Sequence, residues 1–209
     1  RLESESPIAL GMHPNSEINF MTAQSNELIR ITSELQPRQV AGAGGMTQAE
    51  AAKRALDDIA ERLPEPLPAA DLAERVADDP SPFASVFLQE TERMNRLLDE
   101  ARRSLVELDM GLKGDLSMSD SMEALSDALY AGAVPASWAA LAWPSLRPLG
   151  AWLADFLERY RQLEAWAADL QTPRVTWLSG LFNPQAFLTA VMQITARRSE
   201  LPLDKLAIV

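Results

Sequence analysis

A glycine-rich loop ahead of a helix, GAGGMT at Gly42–Thr47, is the first pattern here that could do chemistry, because successive backbone amides can cradle a phosphate. A phosphate loop also needs a lysine directly before its Ser or Thr to neutralise the anion. Met46 stands there instead, and no apolar strand leads into the loop. It reads as a flexible connector, and the similar GLKGD at Gly111–Asp115 reads as a helix stop. His13 is the sole histidine, so any Ser–His–Asp or Cys–His arrangement would rest on it alone. In GMHPN it precedes a proline in a turn, which suits a packed or hydrogen-bonded structural role. One histidine and no cysteine support a metal centre poorly. The acidic pairs Asp57–Asp58 and Asp78–Asp79 lie in polar helical contexts and read as solvated faces. Trp138, Trp143, Trp152, Trp166 and Trp177 could suggest a ligand box, but each falls within or beside a predicted helix, where packing is the simpler use. No residue is assigned a catalytic, cofactor-binding or metal-binding role.

The elements that must carry these residues follow from period and punctuation. Residues 7–20 read as two short extended pieces around a turn at Gly11, Pro14 and Asn15, the second near 16–20. Thr22 is a plausible N-cap for a helix from Ala23 to Leu35, stopped near Pro37. Thr47 caps the next helix, with Glu50 completing a capping box. The alternating prolines of LPEPLP, Leu63–Pro68, forbid a helix and favour an extended link. A short helix over Ala69–Asp78 ends before Pro80 and Pro82. Then Phe83, Phe87, Met94, Leu98, Ala101, Leu105, Leu108 and Leu112 trace one apolar stripe at helical steps, with a polar gap at Glu90 and Thr91. That predicts a single helix of about 30 residues, roughly 45 Å long, ended by Gly111 and Gly114. Ser119 or Asp120 caps a helix to Tyr130 that Gly132 closes, and VPASW leads to a helix from Leu146 to Asp169. A short extended piece is allowed near 174–178.

In TWLSGLFNPQAFLTAVMQITARR, Thr176–Arg198, Asn183 is a good N-cap and Pro184 a good first helical residue. Trp177, Leu178, Leu181 and Phe182 read as packed apolar side chains, with Gly180 letting the chain turn between them. Phe187, Val191 and Ile194 mark one face of the helix that follows. The fold class is all-α or nearly so, with at most short β pieces.

Composition narrows the partners. A net charge of −11 argues against nucleic acid or an anionic membrane as the main partner, since both select basic patches. The absence of cysteine removes a disulfide frame and a thiolate nucleophile. No apolar run is long enough to span a bilayer. A start on RLESES without Met or an apolar signal region, and an end on LAIV, suggest an intracellular piece of a longer polypeptide.

Several stretches together resemble the C-terminal part of dynein heavy chains: GMHPNSEINF (11–20), SELQPR (33–38), FLQETERMNRLLDEARRSLVELDMGLKGDL (87–116), VPASW (134–138), WPSLRPLGAWLADFLERYRQLEAW (143–166) and VTWLSGLFNPQAFLTAVMQITAR (175–197). The resemblance is colinear and covers most of the chain, being weak only over 40–80. LSGLFNPQAFLTAVMQ followed by LPLDKL (201–206) looks more axonemal than cytoplasmic. The resemblance implies a ring of six AAA+ modules with a microtubule-binding stalk. On that basis residues 1–98 would end the sixth module, chiefly its small helical subdomain, and 99–209 would begin the helical C-terminal domain. The parent chain would be an ATP-driven microtubule motor of the cilium or flagellum, at the axoneme, in the cytoskeleton and cytoplasm. ATP and Mg would bind in its other modules, with none in this fragment, which is expected to lack catalytic residues and to brace the ring. The implied partners are the rest of the heavy-chain ring, microtubules through the stalk, and intermediate and light chains, with neither nucleic acid nor membrane. The alternative is a free-standing helical scaffold or adaptor.

Overall fold

In the computed structural model, residues 14–35, 47–77, 80–170, 173–200 and 202 are described. The chain divides into two compact units, residues 1–46 and 47–209. His13, the loop at Gly42–Met46 and the Asp78–Asp79 pair lie outside the described residues. Eight α-helices and one 3-10 turn, and no strand, are found among the described residues.

In the first unit, α1 runs over Pro14–Leu35, 22 residues. The second extended piece near 16–20 is therefore helix, and Thr22 lies inside α1 rather than at its cap. The physical reason lies in PNSE: proline presets φ for a first helical position, and a glutamate three residues later favours a helix N-terminus. Ile18, Met21, Leu28 and Ile29 on α1 are exposed.

The second unit is built on its longest helix, α4, Pro82–Lys113. Helix α2, Gln48–Arg62, opens with the expected capping box: the Glu50 amide donates to Thr47 Oγ1 (3.2 Å) and the Thr47 amide to Glu50 Oε2 (2.7 Å). After α2 the LPEPLP link is extended, and it is pinned rather than free. Asn95 of the long helix brackets Leu67, accepting from its amide (2.9 Å) and donating to its carbonyl (2.7 Å). Arg102 donates to the Pro64 carbonyl (2.7 Å) and pairs with Glu65 (2.9 Å), while the Tyr160 hydroxyl donates to the Glu65 carbonyl (2.8 Å). Proline has no amide to place, so three side chains suffice to fix this segment.

Helix α3 is Ala69–Ala77 and α4 is Pro82–Lys113, 32 residues, or about 48 Å at the α-helical rise. Ser81 caps α4, and Gly114 closes it in the left-handed conformation, φ 84°, which favours glycine. Gly111 does not stop the helix: it lies buried in the last turn, where an added Cβ would fall 2.6 Å from Met118 Sδ. The expected stripe is buried from Phe83 to Leu108 and only partly at Leu112, with Phe87, Met94, Leu98, Leu105 and Leu108, and Leu97 beside them, sealed from solvent.

Helix α5, Asp120–Ala131, has Ser119 as N-cap and left-handed Gly132, φ 66°, as C-cap. A separate short helix α6, Ala136–Leu141, follows, and α7 is Leu149–Asp169, starting three residues later than the sequence suggests. Pro148 accounts for the delay, because proline biases the residue before it away from the helical region. The Leu149 amide then donates to the Gly132 carbonyl (2.8 Å), tying the start of α7 to the end of α5. Helix α8, Pro184–Ser199, packs on α4. The segment 174–178 contains no strand and leads into a single 3-10 turn, Leu178–Gly180. Aromatic rings join α4 to α7 and α8: Phe87 stacks on Trp166 at 4.6 Å, and Phe83 meets Phe187 edge-on at 5.0 Å.

Leu98 and Leu105 are sealed within this core, so truncating either leaves a cavity that rigid helices cannot refill. Leu98→Ala or Leu105→Ala should each destabilise the protein by about 2–5 kcal/mol in urea denaturation. A loss well under about 1 kcal/mol would mean that the stripe is not the core.

Candidate functional site

The polar gap in the α4 stripe is the centre of the site. Glu90 is 1 % exposed and Thr91 0 %, so the gap points inward with the rest of the stripe. A buried carboxylate costs several kcal/mol unless its oxygens are hydrogen-bonded. Both are: Glu90 Oε2 accepts from the Phe182 amide (2.5 Å) and Oε1 from the Asn183 amide (2.9 Å).

Those two amides belong to the turn that delivers α8. The first amides of a helix have no partner within it, and Pro184 has none to give. Asn183 Oδ1 accepts from the Ala186 amide (3.1 Å), so the cap side chain serves the inside of the helix. Glu90 serves the amides just outside, where the helix dipole also favours negative charge. One α4 carboxylate thereby fixes where α8 begins.

On α7, Arg159 is 5 % exposed. Its guanidinium lies 3.8 Å from the centroid of the Trp143 ring and 5.1 Å from that of Trp177. Its Nε donates to Asp155 Oδ2 (3.3 Å), and Arg147 approaches the other Asp155 oxygen at 3.6 Å. Burial pushes the Glu90 carboxyl above the usual glutamate range; the amides of Phe182 and Asn183 and the charges of Arg93 and Arg159 pull it back without cancelling the burial. Burial also lowers the Arg159 guanidinium from its ordinary value, opposed by Asp155 and Glu90.

The loop ahead of this clamp, Glu90 on the Phe182 and Asn183 amides, is held by its backbone. The Trp177 amide donates to Gln162 Oε1 (2.7 Å), and Gln162 Nε2 donates to the Trp177 carbonyl (3.3 Å). Gly180 is required because a Cβ there would lie 2.3 Å from the Trp177 ring. Trp177 itself is 39 % exposed and Leu178 is also exposed, against the expectation of full packing; Leu181 is buried and Phe182 partly so. The polar contribution of this segment is its backbone, which a reading of side groups alone overlooks. Of the tryptophans, Trp138, Trp143, Trp152 and Trp166 are buried. Trp143 stacks on Trp152 at 5.4 Å and meets Phe182 edge-on at 5.9 Å, while Trp138 Nε1 donates to Ser104 Oγ (2.9 Å). Asp57 and Asp58 are exposed and pair with Lys53 and Arg62 on their own helix.

Beside the clamp, Arg93 and Arg96 rim a pocket of about 250 Å³ closed by Ala140–Pro144 and Phe182. A shallower groove of about 480 Å³ runs between the start of α4 and α8, from Pro80 to Arg197. Among the described residues no group of three His, Cys, Asp or Glu residues converges to hold a metal ion, and no helix is long and apolar enough to cross a membrane. The chemistry on view is electrostatic positioning: a carboxylate with each oxygen bonded to a backbone amide, and a guanidinium packed between aromatic rings. The sequence did carry one signal for Glu90, a lone acid between Phe87 at i−3 and Met94 at i+4 on an apolar face.

The protein matches the family model for the C-terminal domain of dynein heavy chains over residues 22–209. It is 53 % identical over 207 residues to "Dynein beta chain, flagellar outer arm" of Chlamydomonas reinhardtii, covering 98 % of this sequence and 4 % of that protein. It is 49 % identical over 209 residues to "Dynein beta chain, ciliary" of Heliocidaris crassispina and 48 % identical over 209 residues to "Dynein axonemal heavy chain 17" of Homo sapiens, each match covering 99 % of this sequence and 5 % of the relative.

The pH dependence of stability tests the buried state of Glu90. An unfolded glutamate titrates near pH 4.3, and the native group titrates higher. Between those values the native state holds more protons, so stability falls as pH rises through the window and levels off above it. Glu90→Gln removes this contribution. The stability of the wild type minus that of the variant, from denaturant curves at a series of pH values, should therefore fall with rising pH. A difference that grows with pH would show a carboxylate better stabilised by the fold than by water.

Proposed function

The protein belongs to the dynein heavy-chain family, matching its C-terminal region, and on that premise we propose that it is a bracing module of an ATP-driven microtubule motor of cilia or flagella. It spans about 4–5 % of the length of the curated relatives it matches. Motor activity, ATP and Mg would belong to other parts of the heavy chain, and these residues would bind no nucleotide and supply no catalytic group. The rest of the heavy-chain ring is the direct partner in this reading. Microtubules through a stalk, and intermediate and light chains, are partners of the whole motor.

The observation that carries the reading is the clamp. A brace must hold its parts at a fixed angle, and Glu90 joins a 32-residue helix to the turn that starts α8 through two hydrogen bonds. The proposed division at 98/99, between an AAA+ small subdomain and a C-terminal domain, falls within α4. A continuous helix across a boundary transmits position along its length, because kinking it disrupts backbone hydrogen bonds. The relatives named flagellar, ciliary and axonemal favour an axonemal motor.

Phe182→Ala in the full heavy chain tests the reading. Phe182 packs edge-on to Trp143 beside the clamp, so its loss should lower the melting temperature and the yield of assembled motor while ATP turnover per assembled motor holds. A variant that assembles and melts like the wild type yet loses ATP turnover would show a part in the chemistry or its coupling, and would end the bracing account.

A further inference from the structure

Helix α4 has five cationic residues, and three have acidic partners. Arg102 pairs with Glu65 at 2.9 Å, Arg103 with Glu100 and Glu107 at 2.7 Å each, and Lys113 with Asp109 at 2.6 Å. Arg93 and Arg96 are exposed and form no ion pair among the described residues. Spacing does not explain this. Glu92 stands four residues before Arg96, the order in which helical acid–base pairs are most favourable, and Asp99 stands three after it. Arg93 senses the charge of Glu90 across space, while each Glu90 oxygen accepts from a backbone amide.

The two arginines share one pocket with Leu141, Trp143 and Phe182. Trp143 and Phe182 are locked edge-on to each other, so this wall of the pocket is aromatic and preformed. We propose that this pocket receives a carboxylate side group from an acidic segment elsewhere in the same heavy chain. The guanidinium fork matches a carboxylate in shape and charge, and such pairs are stronger than neutral hydrogen bonds. The aromatic wall would take the apolar stem of an Asp or Glu and exclude water from the pair. In a protein of net charge −11, two unpaired cations at one pocket make a local attraction within a field that repels acids elsewhere, and that contrast selects position. The occupant lies in the same polypeptide because the relatives extend far beyond the matched residues, and tethering raises the effective concentration of a segment within reach. This inference rests on the bracing reading and assigns one of the contacts a brace would make.

Carbodiimide cross-linking of the full heavy chain with Arg93→Lys and Arg96→Lys tests it. Lysine keeps each charge at an exposed position and supplies an amine. A carboxylate in contact, once activated by the carbodiimide, forms an amide with that amine, and the reagent leaves as its urea. Mass spectrometry of the digest should show the introduced amines joined chiefly to one acidic segment of the heavy chain outside residues 1–209. Links confined to Glu92, Asp99 or Glu100 of α4, links to a different polypeptide, or no links would each overturn the proposal. The outcome is separable from that of the bracing test, since Phe182→Ala reads melting and assembly whereas the lysine variants read only what touches the pocket.

Discussion

One face of one helix has to leave water, and residues 47–200 are arranged to let it. The α4 stripe is sealed from Phe87 to Leu108, and α2, α3, α5, α6, α7 and α8 all pack against that helix. Burial of large apolar residues at roughly 1.5–3 kcal/mol each supplies the drive. It does not supply direction, because apolar contacts tolerate sliding and rotation. Glu90 does. Its two oxygens take the Phe182 and Asn183 amides, so α8 docks in the register that brings both to them. Removing one partner of such a buried group leaves the other unsatisfied, which makes the arrangement close to all-or-none.

Side-chain hydrogen bonds repeat this division of labour at the proline link, at the loop before α8 and within the core. Asn95 and Arg102 hold the proline link, Gln162 holds the loop at Trp177, and Ser104 takes the indole N–H of buried Trp138. Each case satisfies a polar group that regular structure does not. The protein belongs to the dynein heavy-chain family, and side chains that hold irregular backbone in place are what the proposed bracing role requires. The partly exposed Trp177, and Arg93 and Arg96, which form no ion pair among the described residues, lie at the surface of the same unit.

Much of the fold is legible in local chemistry. Thr47 with Glu50, Ser119, Gly114, Gly132 and the Asn183–Pro184 pair set helix ends by their own conformational preferences, and each stands where the sequence places it. The α4 stripe is equally plain because its period is sustained along a helix of 32 residues. What is hidden depends on tertiary contacts. Glu90 reads as a polar interruption, since nothing nearby in sequence reveals that amides 92 and 93 residues away complete it. Trp177 reads as core because its size favours burial, yet the turn at Gly180 leaves its ring partly at the surface. The start of α1 at Pro14 is obscured by a Pro–Asn pair that serves turns and helix starts alike.

Hydrogen exchange at two backbone amides tests the central claim most directly. If Glu90 holds α8, the Phe182 and Asn183 amides in the wild type exchange slowly, through openings that also expose the core. In a Glu90→Ala variant those two amides should become fast while the amides in the middle of α4 stay protected. Wild-type exchange at Phe182 and Asn183 as fast as at exposed Val175 would contradict the account, and so would rates that Glu90→Ala leaves unchanged.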